Sequence, residues 1–198
     1  MSDIICVTAR KLCCGDFLEQ LKKIAEASPR YIILREKDLS ESEYKELAVK
    51  AADICSKSGC ELILHYFWRT AIELDIKNIH LPLPVLRELS DADKRHFECI
   101  GTSCHSVEDA LDAQRLGADY ITAGHVFVTD CKKGLAPRGL DFLRNVCYSV
   151  DIPVYAIGGI SPDNIASVRK CGAAGACVMS GFMNCPAPKA YIGEFNRK

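Results

Sequence analysis

The chain has 198 residues, 48% hydrophobic and 26% charged, with a formal net charge of -1. That length accommodates one domain with a substantial core, and the balance excludes a disordered chain or a coiled coil. The near-neutral charge gives no electrostatic case for nucleic acid, which calls for a basic face or stripe.

At the amino terminus, MSDIICVTARK lacks the charged and apolar regions of a signal peptide, and no run anywhere nears the ~20 apolar residues that span a bilayer. A soluble cytoplasmic protein without a membrane partner is expected. The first strand is predicted at Ile4 to Thr8 and the second at Tyr31 to Glu36. Ser40 to Ser58 follows as a helix, because Tyr44, Leu47, Ala48, Ala51 and Ile54 recur at helical spacing with charges on the other face. Strands are then expected at Glu61 to Tyr66, Asn78 to Pro82 and Cys99 to Cys104, with the short link from Leu83 to Phe97 reading as a degenerate helix. A second clear helix runs from Ser106, which starts it as Ser-Val-Glu-Asp, to Leu116, with Gly117 as its stop. Three more strands, Tyr120 to Gly124, Pro153 to Gly159 and Gly175 to Ser180, complete eight.

Strands separated by helical stretches at intervals of roughly 20–30 residues have the rhythm of βα units. Their apolar runs lack strict alternation, as parallel strands covered by helices do. Eight strands in so short a chain, with no GxGxxG after the first, favour closure over an open doubly wound sheet. The predicted fold is α/β, a single TIM barrel, (β/α)8, over residues 1–198. The twelve cysteines form no CxxC pair, and Cys6, Cys99, Cys104 and Cys177 lie in apolar runs, so they read as reduced thiols packed as small hydrophobes.

Barrels of this kind carry their chemistry on the carboxyl ends of the strands. Gly158 and Gly159 with Ser161-Pro162-Asp163, and Ser180 and Gly181 at the start of the last barrel helix, are candidate phosphate turns, since backbone N–H groups and a helix dipole converge there on an anion. His125, immediately after the sixth strand, reads either as a proton-transfer group or as a packed histidine satisfied by a carbonyl. The following loop brings Thr129, Lys132, Lys133 and Arg138, and the second strand ends in Arg35 and Lys37, cations for an anionic ligand or solvated surface charges. Ser103 ends the fifth strand. His105 reads as a cap or orienting group for the next helix, His65 as a pocket-lining aromatic, and His80 and His96 as structural or exposed. Cys131 has cationic neighbours but no paired base, which argues against a nucleophile.

The stretches ILREKD (Ile33 to Asp38), IGTSCHSVEDA (Ile100 to Ala110), GADYITAGHVFVTDCKKG (Gly117 to Gly134), RGL (Arg138 to Leu140), IPVYAIGGISPDN (Ile152 to Asn164) and GAAGACVMSG (Gly172 to Gly181) together resemble the thiamine phosphate synthase/TenI superfamily of (β/α)8 barrels. Synthases couple hydroxymethylpyrimidine diphosphate to thiazole phosphate and use Mg2+. Their Asn-Asp pair after strand three and Asp after strand four are replaced here by His65-Tyr66-Phe67 and Leu81-Pro82-Leu83-Pro84, whereas ILREKD is closer to the synthase wording, with Leu34 where synthases have Gln, and does not separate the branches. Their Gly-Pro and Thr-x-Thr-Lys after strand six become Gly124-His125 and Thr129-Asp130-Cys131-Lys132-Lys133-Gly134, which is similar to the TenI thiazole tautomerases.

That similarity implies a tautomerase that aromatises a carboxythiazole phosphate through proton transfer by His125, with no metal or other cofactor. A small phosphorylated thiazole would be held by Arg35, Lys37, Ser103, Thr129, Lys132, Gly158, Gly159, Ser180 and Gly181. Tyr66, Phe67 and Trp68 are expected to narrow the pocket to one ring. The alternatives are a thiamine phosphate synthase, for which Mg2+ would be the cofactor, and a non-catalytic phosphate-ligand binding or regulatory protein. Assembly as a homo-oligomer stays open.

Overall fold

Each apolar run is four to six residues long in a computed structural model, long enough to cross the wall of a small barrel and no more. The structure describes residues 3–132 and 134–197; Lys133 and the side chain of Cys131 lie outside the described residues. The strands are β1 (Ile4–Val7), β2 (Tyr31–Leu34), β3 (Leu62–His65), β4 (Asn78–Pro82), β5 (Cys99–Cys104), β6 (Tyr120–Gly124), β7 (Val154–Ile157) and β8 (Gly175–Val178). All pair in parallel in chain order, and β8 returns to β1 through Ile5↔Cys177, which closes the barrel. The expected strands are present, several of them shorter at their ends, where the chain leaves the ladder for the loops.

Closure splits the apolar residues into two populations. Ile5, Val7, Ile33, Ile63, Tyr120, Tyr155 and Cys177 fill the barrel lumen. Their strand neighbours Ile4, Cys6, Ile32, Leu34, Leu64, Ile121 and Ala176 face the helices. Both faces are buried, which is why strict alternation is missing from the sequence. Cys6, Cys104 and Cys177 are buried free thiols and Cys99 is half-buried, as expected of small hydrophobes.

The helices are α1 (Phe17–Glu26), α2 (Glu41–Ser58), α3 (Trp68–Glu73), α4 (Leu83–Glu88), α5 (Asp91–Lys94), α6 (Val107–Arg115), α7 (Gly139–Ser149), α8 (Ile165–Lys170), α9 (Ser180–Met183) and α10 (Pro188–Asn196), with 3-10 turns at Arg10–Leu12 and Asp130–Lys132. Local chemistry sets the two best-read helices. Ser40 and Glu43 form a reciprocal capping box at α2, which ends on a left-handed Gly59, and Ser106 accepts the Asp109 N–H at the start of α6. The link from Leu83 to Phe97 holds two short helices rather than one degenerate helix. Pro84 sits in the first turn of α4, so β4 passes straight into its helix with no loop between them. No helix among the described residues is long and apolar enough to cross a membrane.

Candidate functional site

A cavity of about 470 Å³ opens at the carboxyl ends of the strands. Arg35, Lys37, Ser103, His125, Thr129, Lys132, Gly158, Gly159 and Ser180 line it together, so nine of the ten expected ligand contacts converge. The tenth, Gly181, is not in the lining. A Cβ there would run into the Tyr191 hydroxyl, so close packing against α10 accounts for that glycine.

One side of the cavity is cationic. Burial, then the charges of Arg35 and Lys132, pull the Lys37 ammonium below its usual range. Of the two acids that flank Lys37, Asp38 is held by Arg10 at 2.6 Å and Lys11 at 3.2 Å. Glu36 points inward to accept from Thr8 Oγ1 at 2.7 Å and the Arg10 N–H at 3.0 Å. Arg35, Lys37 and Lys132 therefore have no carboxylate partner among the described residues, and they present an uncompensated field to an anion. Arg138 does not join them; its guanidinium lies over the Phe142 ring, 5.4 Å from the centroid.

The other side is the turn after β7. The loop that follows β6 extends the sheet toward it, with Val126 N–H donating to Ile157 O at 2.9 Å and Phe127 N–H to Gly158 O at 3.0 Å. The Gly159 carbonyl accepts from Asn164 Nδ2 at 2.8 Å. Both carbonyls are thus engaged within the protein. Both glycines have positive φ, +98° and +68°. A Cβ on Gly158 would overlap the Cβ of His125, and one on Gly159 would stand 2.5 Å from Val128 O. Tight packing of the His125 loop thus requires these glycines whether or not they bind phosphate. Gly158→Ala is expected to lower stability by ~1–3 kcal/mol, read as an earlier thermal melt. An unchanged melting temperature would show that the loop can move aside.

His125 is partly exposed, and its Nε2 lies 3.4 Å from Leu135 O, a long hydrogen bond within its own loop. His105 also lines the cavity. Its Nδ1 is 2.9 Å from Gly124 O, a contact in which only the ring can donate, so the ring ties β5 to β6. Ser106, not His105, caps α6, although the His105 N–H does bond Asp109 Oδ2 at 2.8 Å.

One expectation is narrowed and another corrected. His80, read as structural or exposed, is not exposed: it is buried in the cavity wall, with Nε2 2.9 Å from Ser103 Oγ. Burial and the charge of Arg35 push its imidazolium down to about 3. Burial, His80, Arg35 and Lys37 likewise hold His65 well below the usual range, so both rings are neutral near pH 7. Tyr66, Phe67 and Trp68, expected to narrow the pocket, do not line the main cavity. Tyr66 takes a left-handed turn, φ 73°, after which Phe67 packs on Tyr44 at 4.7 Å and the Trp68 ring receives the Arg69 guanidinium at 4.2 Å. Tyr66 and Phe67 instead border a small annex beside Glu36, Lys37 and His65.

Comparison with known proteins adds a lineage to this geometry. The family model described as thiamine monophosphate synthase matches residues 4–182. A thiamine-phosphate synthase of Desulfitobacterium hafniense is 34% identical over 187 residues, covering 89% of this chain and 88% of that protein. A putative thiamine-phosphate synthase 2 of Aquifex aeolicus is 34% identical over 177 residues, covering 89% and 95%. Among solved structures, a thiamine phosphate pyrophosphorylase from Pyrococcus furiosus superposes with a TM-score of 0.83 at 29% identity, over 98% of this chain and 93% of that one.

Proposed function

Because the chain belongs to the thiamine monophosphate synthase family, we propose that it couples hydroxymethylpyrimidine diphosphate to thiazole phosphate, giving thiamine phosphate and releasing diphosphate. This replaces the tautomerase as the leading reading, since the relatives at 34% identity bear synthase names. One observation carries it: a cavity of about 470 Å³ has a cationic wall at Arg35, Lys37 and Lys132, without a carboxylate partner among the described residues, and a separate glycine turn at Gly158-Gly159. The diphosphate would lie against the first and the thiazole phosphate against the second.

In the coupling, the thiazole nitrogen forms a bond to the pyrimidine methylene carbon as the carbon–oxygen bond to diphosphate breaks, and that electron pair leaves with diphosphate. No net proton transfer is needed. Charge grows on the departing diphosphate, where Arg35, Lys37 and Lys132 stabilise it more in the transition state than in the ground state.

The Mg2+ associated with this family requires hard oxygen ligands. The rim offers His65, Pro82, Leu83 and Pro84; Asp109 gives Oδ2 to His105 and Glu36 is engaged by Thr8 and Arg10. Among the described residues, no group of three potential ligands surrounds an ion-sized space. These residues do not fit a protein-held Mg2+. Calorimetric titration of Mg2+ into the ligand-free protein is expected to give no saturable binding, and a micromolar site would contradict this description of the rim.

A second reading, the thiazole tautomerase, is favoured by His125, an ionisable ring beside the glycine turn. Incubation of the purified protein with both coupling substrates, with and without Mg2+, tests the proposal through thiamine phosphate formation. No product under either condition, together with rapid conversion of the carboxythiazole phosphate tautomer, would transfer the protein to the second reading.

A further inference from the structure

Three adjacent strands build a polar chain through the otherwise apolar lumen. In the ladder His80 of β4 pairs with Gly101 of β5, and Gly101 with Tyr120 of β6. A Cβ on Gly101 would fall within the Tyr120 ring, so the missing side chain lets that ring cross β5. Tyr120 Oη thereby comes within 3.0 Å of His80 Nδ1, while His80 Nε2 reaches Ser103 Oγ at 2.9 Å and Thr122 Oγ1 donates to the same oxygen at 3.3 Å.

The proton positions follow from satisfaction. Tyr120 and His80 are both 3% exposed, and His80 Nδ1 is the only polar partner of Tyr120 Oη among the described residues. A buried phenol keeps its hydrogen on an acceptor, so Tyr120 donates to Nδ1. The His80 proton then resides on Nε2 and is donated to Ser103. Burial together with Arg35 keeps the ring neutral, so this tautomer persists across physiological pH. Ser103 Oγ accepts two hydrogen bonds, and its own hydrogen is left for the cavity that Ser103 lines.

We propose that His80 is a positioning residue that, locked in one tautomer by Tyr120, turns the Ser103 hydroxyl into a fixed donor for an anionic phosphate or diphosphate oxygen of the ligand. This rests on the reading of the cavity as a site for phosphorylated substrates. A purely structural chain would hold β4, β5 and β6 together without affecting ligand binding through Ser103.

Long-range ¹⁵N–¹H correlation spectra of the wild-type imidazoles test the tautomer, with protonated Nε2 and bare Nδ1 expected for His80. Calorimetry with inorganic pyrophosphate tests the coupling. Ser103→Ala is expected to weaken binding about tenfold or more, as for a hydrogen bond to a charged group. His80→Leu should weaken it about three- to tenfold in the wild-type background and not at all in Ser103→Ala. His80→Gln, which keeps an amide donor near the position of Nε2, should restore most of the loss. A protonated Nδ1, additive effects in the double variant, or failure of the wild-type protein to bind pyrophosphate would each overturn the proposal. If His80→Leu does not fold, the wild-type spectrum and a Tyr120→Phe/Ser103→Ala cycle decide in its place. Coupling turnover is a separate measurement: its absence with the cycle intact would remove the synthase reading and leave His80 in this role.

Discussion

Replacing Arg35 by alanine is expected to lower turnover in thiamine phosphate formation by about 10²–10³-fold, the range found when one donor to a developing oxyanion is removed. Arg35 stands just beyond β2 in the cavity lining, without a carboxylate partner among the described residues. Its charge is felt by Lys37, His65 and His80, all of which it pushes down. Removing it should therefore raise all three toward their ordinary values, in each case only in part, because burial is the largest cause throughout. Because the leaving diphosphate gains charge as the bond breaks, the loss should appear mainly in kcat rather than KM. Arg35→Lys should recover only part of it, since a point charge cannot supply two parallel N–H bonds. Steady-state kinetics with a thermal melt as control would measure this. A loss confined to KM, or explained by unfolding, would mean that Arg35 does not act on the leaving group.

The barrel was legible because its βα rhythm is a property of runs of residues, and capping at Ser40 and Ser106 is local chemistry. Side-chain direction was harder. In β4 the polar or ring-bearing positions Asn78, His80 and Pro82 alternate with Ile79 and Leu81, a pattern that places His80 in the lumen once the strand's outer face is assigned to Ile79 and Leu81. Reading His80 alone, outside that alternation, missed it. The aromatic run at Tyr66 to Trp68 was misplaced for a different reason: one left-handed residue redirects everything after it, and its φ is not written in the sequence. At Gly158-Gly159 the sequence left phosphate binding and tight turns open, and the structure adds the close approach of the His125 loop to the reasons for glycine. The two readings of the branch rest on signals of different reach. His125 is one position in one loop, whereas 34% identity over 187 residues integrates the whole chain.

His125→Gln separates the two enzymatic readings, because net proton movement occurs in only one of them. Any turnover of the carboxythiazole tautomer that the protein shows is expected to fall by ~10²–10⁴-fold in this variant, the usual contribution of a general acid or base. Thiamine phosphate formation should fall far less, since the coupling balances without a proton and the leaving group is assigned to Arg35, Lys37 and Lys132. The fold should tolerate the change. Among the described residues the histidine ring hydrogen-bonds only Leu135 O, at 3.4 Å, which a glutamine amide can also do, and the bond from Arg138 N–H uses the backbone carbonyl of residue 125. A circular dichroism melt would verify this before either assay is compared. If coupling drops as steeply as tautomerisation while the melt is unchanged, His125 takes part in the coupling and the proton-free scheme is wrong. If tautomer turnover persists at the wild-type rate, the histidine is a loop-packing residue and the tautomerase reading loses the acid assigned to it.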